Sequence, residues 1–171
     1  SDLERVVRVA THDGKRPVRH LDTAALRQEL TGEMLVSSEA AAKQMLFRFG
    51  RTAALGVHLG MTGELFVADA GFEPGRHDHL DLFTKHRALV FRDPRMFGRI
   101  EFHRGTDMPP WWNRIAPAVL STAFTREAVT AFLRRRARSP IKAVLLMQER
   151  FPGIGNWMGD QILWRAAIHP A

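Results

Sequence analysis

The sequence predicts a two-lobed α+β protein: an antiparallel, β-rich lobe over residues 1–104, a linker at 105–117, and a helical lobe over 118–171. Two observations predict this division. Between Met45 and Phe102, short apolar runs with rough alternation are broken by Gly and Asp/Pro turns, the pattern of half-buried strands. Beyond Arg104 the alternation stops, and apolar residues recur at helical spacing behind capping residues. With 171 residues, 45% of them hydrophobic, the chain can bury a sizeable core, and it contains no internal repeat or low-complexity stretch.

The elements follow in order. Asp22 is placed to cap a short helix whose Ala25, Leu26 and Leu30 share a face, with Gly32 where a C-terminal glycine belongs. Strands are expected at Met45–Phe49, Ala53–Leu59, Glu64–Val67, Leu80–Thr84, Ala88–Phe91 and Arg99–Phe102. Gly105 to Pro117, with Pro109, Pro110, Trp111 and Trp112, reads as a loop. Thr125 caps a helix that turns Val129, Phe132 and Leu133 inward. Ser139 and Pro140 suit the N-cap and first position of the next, which carries Ile141, Val144 and Leu145 and runs to Gly153. Asn156 is expected to cap a third helix bearing Met158, Ile162 and Leu163 and stopping before Pro170.

Charge narrows the partner. Lys plus Arg is 25 against 18 for Asp plus Glu, giving +7, and a polyanion is the expected ligand. Lysine occurs only at positions 15, 43, 85 and 142. Arginine, with its planar fork, suits bidentate phosphate and base-edge contacts, although a GC-rich genome would raise arginine equally well. The absence of cysteine excludes a disulfide framework, a redox pair or a cysteine zinc site within these residues. No signal-peptide pattern and no apolar run near the ~20 residues of a membrane span is present, so the expected protein is soluble, intracellular and not membrane-bound. A start at Ser1 without methionine suggests a trimmed or partly observed chain.

Four ordered segments carry the chemistry: His58-Leu59-Gly60-Met61-Thr62-Gly63, His77-Asp78-His79-Leu80-Asp81-Leu82, Asp93-Pro94-Arg95-Met96-Phe97-Gly98, and Ile141-Lys142 through Gly153-Ile154-Gly155-Asn156 to Ala167-Ile168-His169-Pro170. The glycine turn in the last opens on a helix N-terminus, where free N–H groups favour phosphate; by geometry alone a helix hairpin with glycines for close packing is the favoured reading. Together the four resemble the formamidopyrimidine / endonuclease VIII family of DNA base-excision glycosylases, nearer the formamidopyrimidine branch, over most of the chain from about Leu3. The last segment resembles that family's helix-two-turn-helix. Ribosomal proteins share its shape but not the flanking segments.

The resemblance implies a β-sandwich-like first lobe, DNA crossing a basic cleft between the lobes, and sharply bent duplex. It implies that Met61, Arg95 and Phe97 fill the gap left when the damaged nucleotide is evicted: a flexible apolar wedge, a cation for the orphaned base and a ring to stack. Lys43, ahead of a strand, aligns with a lysine near the scissile phosphate that assists elimination. His77, Arg95, Lys142 and Asn156 fall at or beside phosphate-gripping positions. Arg138 belongs with Arg134, Arg135 and Arg136 to a basic run at a helix end, open to solvation or DNA contact. His77 and His79, with Asp78 and Asp81, have the residue types of a metal cluster, but a two-residue spacing on a strand turns both histidines to one face and supplies no further ligands, and no metal is expected.

The family's catalytic group is an N-terminal proline amine, followed by glutamate, on a helix ahead of the β lobe; neither is in this sequence, and Leu3-Glu4-Arg5-Val6 matches the strand after that helix. The amine attacks the anomeric carbon and, through an iminium, permits base loss and strand elimination. The region carrying the zinc finger or its zincless counterpart, with an arginine that aids strand cleavage, is also outside the sequence, so no cofactor is expected here and zinc only beyond it. Further departures are Met96 for a second arginine, Ala137 for a frequent lysine and Gln161 for the usual glutamate. The expected function is a glycosylase with AP lyase activity on oxidised bases, purines such as 8-oxoguanine and formamidopyrimidines foremost, in damaged or abasic duplex DNA. The protein is expected to be a monomer, cytoplasmic and nucleoid-associated in a bacterium or nuclear in a eukaryote. Two other readings are a nonenzymatic damaged-DNA-binding relative and an RNA-binding module that reuses the helical motif; intact mass separates the first of these, and preference for lesion duplex over RNA the second.

Overall fold

The computed structural model describes residues 4–41, 43–115 and 118–171. Leu3 and Pro117, at the ends of the expected first strand and of the linker, lie outside the described residues. The chain divides into two compact units, Ser1–Pro109 and Pro110–Ala171.

The first unit is a pair of four-stranded antiparallel sheets. One has the order β1 (Arg8–Thr11), β6 (Asp78–Phe83), β7 (Arg87–Arg92), β5 (Glu64–Asp69). The other runs β2 (Leu35–Ala41), β3 (Gln44–Phe49), β4 (Ala53–His58), β8 (Arg99–Arg104). Their inward faces share one core: Val9, Leu80, Leu82 and Phe91 from the first sheet meet Phe47, Phe49, Leu55, Val57 and Ile100 from the second. Each such side chain, fully buried, contributes on the order of 1.5–3 kcal/mol. Helix α1 (Thr23–Leu30) closes this core with Leu26 and Leu30, both fully buried. Asp22 caps it by accepting from the Ala25 amide at 3.0 Å, and Gly32, at φ +93°, turns the chain away after Thr31.

Two strands depart from expectation. The expected first strand at Leu3–Val6 falls later, at Arg8–Thr11, and among the described residues before it there is only an isolated bridge from Arg5 to Met34. β2, Leu-Val-Ser-Ser-Glu-Ala-Ala, was not expected at all. Both are edge strands, where one ladder is missing and polar residues are tolerated.

Alternation along β6 sends Leu80 and Leu82 to the shared core and Asp81 and Phe83 to the opposite face. Burial drives the Asp81 carboxyl up to about 7, with the neighbouring Asp78 charge adding to the effect, and its Oδ1 has no hydrogen-bond partner. For Asp78, burial alone would raise the carboxyl, but hydrogen bonds from Arg92 at 2.7 Å and the Gly75 amide at 2.7 Å outweigh it and the net direction is down. The sign for Asp81 follows from linkage: the unfolded chain gives up the proton first, so stability falls as pH rises from about 4 to about 7 and is flat above. Asp81→Asn is therefore expected to raise the melting temperature relative to wild type at pH 8 and to flatten that slope; equal pH profiles in the two proteins would overturn the assignment.

The second unit packs Val144, Leu145, Phe151, Ile154 and Leu163 against Val129, Phe132, Leu133 and Ile141. Helix α2 (Pro110–Asn113) lies where only a loop was expected. In α3 (Arg126–Arg135), Thr125 caps by accepting from the Ala128 amide at 3.3 Å. Helix α4 spans only Ile141–Leu145, and its cap is Pro140, at φ −52° and ψ 130°, rather than Ser139. The chain then turns instead of continuing to Gly153. The Gln148 amide donates to the Leu146 and Ile154 carbonyls and accepts from the Gly153 amide at 3.0 Å, side-chain bonds that compete with helix. Gly155 caps α5 (Asn156–Arg165), which makes Asn156 its first helical residue and not the cap. The face turned inward is Gly159 and Leu163, so the expected core residues Met158 and Ile162 are 43% and 38% exposed, and Trp157 and Trp164 are 74% and 78% exposed. A helix apolar on nearly every side gives periodicity no single face to select.

Candidate nucleic-acid interface

Pairing of Gln44 with His58 and of His58 with Arg99 brings three turns to one end of the sandwich. Lys43 occupies the turn between β2 and β3, exposed and at φ 64°, a left-handed conformation that costs a residue with a Cβ on the order of 1 kcal/mol. Its carbonyl accepts from the Leu59 amide at 3.1 Å, which ties this turn to the one after β4. Burial first, and the Lys43 charge second, hold the His58 imidazole below its ordinary range. Nδ1 of His58 accepts from the Gly60 amide at 3.0 Å, leaving Nε2 as the ring's donor.

Met61 stands on the turn between β4 and β5 and is 73% exposed. Arg95 and Phe97 stand on the turn between β7 and β8, with the guanidinium carbon 4.9 Å from the Phe97 ring centroid, within cation–π range. These two turns touch through backbone. A Cβ on Gly60 would lie 2.6 Å from the Phe97 carbonyl carbon and 2.7 Å from the Gly98 nitrogen, so only glycine admits the approach. The structure thus gathers Met61, Arg95 and Phe97 on two interlocked turns. Its further members are Arg16, whose guanidinium lies 5.7 Å from the Phe97 ring, and the fully buried Asp93.

His77 lies just before β6, half-buried, and its carbonyl accepts from the Asp93 amide at 3.0 Å. It is therefore not on the strand with His79, as the two-residue spacing suggested. His79 is 1% exposed and bonded through Nε2 to the Asp93 carbonyl, with burial holding its imidazole below the ordinary range. Among the described residues no three His, Asp or Glu side chains converge as a metal site would require.

In the helical unit, Lys142 makes an ion pair with Asp160, Nζ to Oδ1 at 2.8 Å, and Asn156 is exposed at the start of α5. Arg138 is exposed between α3 and α4, next to Arg134 and Arg135 in the last turn of α3. Sequence reasoning placed His58, Thr62 and Asp93 within motifs but gave them no role of their own, and it passed over Asp160. An Asp-Pro pair opening a turn that ends in glycine was the available sign for Asp93; Asp160 had none, since its partner is 18 positions away.

The fold defines the class first. It is shared with the formamidopyrimidine-DNA glycosylase of Lactococcus lactis, solved in complex with a FAPY-dG-containing DNA: TM-score 0.81 and 26% identity, over 98% of this chain and 63% of that one. The same enzyme, non-covalently bound to DNA containing an AP site, matches with a TM-score of 0.82 at 26% identity, over 98% and 64% of the two chains. The formamidopyrimidine-DNA glycosylase N-terminal domain matches residues 3–100, and the chain belongs to that family. The formamidopyrimidine-DNA glycosylase of Geobacter sulfurreducens is 40% identical over 149 residues, covering 85% of this chain and 54% of the relative. That of Rhodospirillum rubrum is 39% identical over 98% of this chain and 60% of the relative. The chain thus spans little more than half the length of these relatives. No helix among the described residues is long and apolar enough to cross a membrane.

Proposed function

We propose that the full-length protein is a DNA glycosylase with AP lyase activity that removes oxidised purines, 8-oxoguanine and formamidopyrimidines among them, from duplex DNA. The observation that carries this reading is the gathering of an exposed methionine, an arginine and a phenylalanine on two interlocked turns, beside Lys43 and His58. Base removal requires the target nucleotide out of the stack; Met61 and Phe97 fill the gap, and Arg95 pairs with the orphaned base. Lys43 meets the phosphate at the lesion and assists elimination, and His77, Lys142, Asn156 and Arg138 grip the backbone on either side. The nucleophile is an amine upstream of these residues.

No residue of the sequence is cysteine, so a cysteine-held zinc would be bound outside it, and the chemistry assigned to these side chains uses no cofactor. The protein acts as a monomer on damaged or abasic duplex, at the nucleoid if its source is bacterial and in the nucleus if eukaryotic.

Borohydride trapping of the full-length protein on duplex with an abasic site tests the reading. A covalent adduct mapping to an N-terminal amine supports it; tight abasic-site binding without an adduct would make the protein a nonenzymatic damage-binding relative. A second expectation concerns salt. Each neutralised phosphate adds about 0.9 to the slope of log K against log salt. Lys142→Ala should therefore weaken binding on every duplex alike and lower that slope by roughly one unit, read by fluorescence anisotropy across a salt series. An unchanged slope would mean that Asp160 keeps the ammonium from the DNA.

A further inference from the structure

We propose that Asp93 is a positioning residue that locks the two turns carrying Met61, Arg95 and Phe97 into one stiff body, with Thr62 as its counterpart on the other turn. The proposal rests on the wedge reading above. Asp93 is fully buried, and both of its carboxyl oxygens are engaged. Oδ2 accepts from the Gly98 amide at 2.6 Å and Oδ1 from the Arg95 amide at 3.2 Å, which fixes the turn on either side of Phe97. Oδ1 also accepts from the Thr62 hydroxyl at 2.9 Å, and Thr62 follows Met61 in the chain. The backbone of Asp93 carries the connection further, its amide to the His77 carbonyl at 3.0 Å and its carbonyl to the His79 ring at 2.9 Å.

A carboxyl that merely ended a turn would need the Arg95 and Gly98 amides alone. The bond to Thr62 crosses 31 positions of sequence to the other turn, at the place where Gly60 already brings the two backbones together. Stiffness there has a use. Evicting a nucleotide costs a few kcal/mol of lost stacking, and a wedge able to yield would relax instead of unstacking the base. A misplacement of about 1 Å in such a constellation costs on the order of 100-fold in rate.

Three substitutions separate positioning from mere folding. Thr62→Val keeps shape and removes only the bond between the turns. Asp93→Ala removes every side-chain bond and leaves the Gly98 amide buried without its acceptor. Asp93→Asn gives up the 3.2 Å bond from the Arg95 amide but can keep the link between the turns, because its carbonyl can accept from Gly98 while its amide donates to the Thr62 oxygen. The readouts, on the full-length protein, are eviction followed by a fluorescent base analogue beside an abasic-site analogue, affinity for undamaged duplex, and the melting temperature.

Thr62→Val is expected to slow eviction about 10-fold and Asp93→Ala between about 10- and 100-fold. Affinity for undamaged duplex should stay within about 2-fold, since the phosphate contacts are untouched, and Asp93→Asn should recover most of the rate. Wild-type eviction in Thr62→Val, while Met61→Ala and Phe97→Ala slow it, would overturn the role of Asp93 and leave the wedge standing. Wild-type eviction in Met61→Ala and Phe97→Ala would overturn the wedge itself, and this proposal with it. If Asp93→Ala does not fold, Thr62→Val decides.

Discussion

Arg95→Ala is expected to slow excision by about 10- to 100-fold, the equivalent of the 1–3 kcal/mol that a well-placed arginine–base contact provides. Arg95 is exposed, its guanidinium lies 4.9 Å from the Phe97 ring, and its amide is fixed by Asp93, so the substitution removes a head group from a turn that stays in place. The loss should depend on the base opposite the lesion, because a group that pairs with the orphaned base reads its edge. Single-turnover excision from four duplexes differing only in that base provides the measurement. A loss equal for all four would reduce Arg95 to a phosphate contact.

The second large effect is structural in origin. Gly60→Ala places a methyl group 2.6 Å from the Phe97 carbonyl carbon, 2.9 Å from its oxygen and 2.7 Å from the Gly98 nitrogen, at a φ of +65°. Backbone cannot rotate aside as a side chain can, so the two turns must part. A loss of about 2–4 kcal/mol is expected from overpacking and the left-handed conformation together. For a chain of this size each kcal/mol lowers the melting temperature by roughly 2–4 °C. Excision should fall by on the order of 100-fold, since Met61 and Phe97 no longer act at one place. A variant that melts and excises like wild type would mean that the turns are looser than their contact implies.

Much of the β unit was legible in the sequence because its strands alternate against a single core: Leu80 and Leu82 face it, and Asp81 between them does not. Periodicity fails where that asymmetry is missing. β2 is polar on both faces at a sheet edge, and α5 is apolar on nearly every side, so the first was overlooked and the second rotated by one position. The error at Asn156 has another cause. An asparagine before a helix resembles a cap, but Gly155 ahead of it takes the extended conformation at ψ −179° and ends the turn one residue sooner. Met61, Arg95 and Phe97 could be singled out because they lie in contiguous motifs. The contacts of Asp93 with Thr62 and of Asp160 with Lys142 could not, since only folding brings these partners near.

The tryptophans have an optical consequence. All four, Trp111, Trp112, Trp157 and Trp164, belong to the helical unit, and the chain contains no tyrosine. Ultraviolet emission therefore comes from that unit alone, while the sandwich, with phenylalanine as its aromatic residue, is nearly dark. A melt followed by emission records the helices, and one followed by circular dichroism in the strand region records the sandwich. Trp157 and Trp164, exposed on α5, make the first signal sensitive to whatever approaches that helix, so the two units can be watched independently in one unlabelled sample.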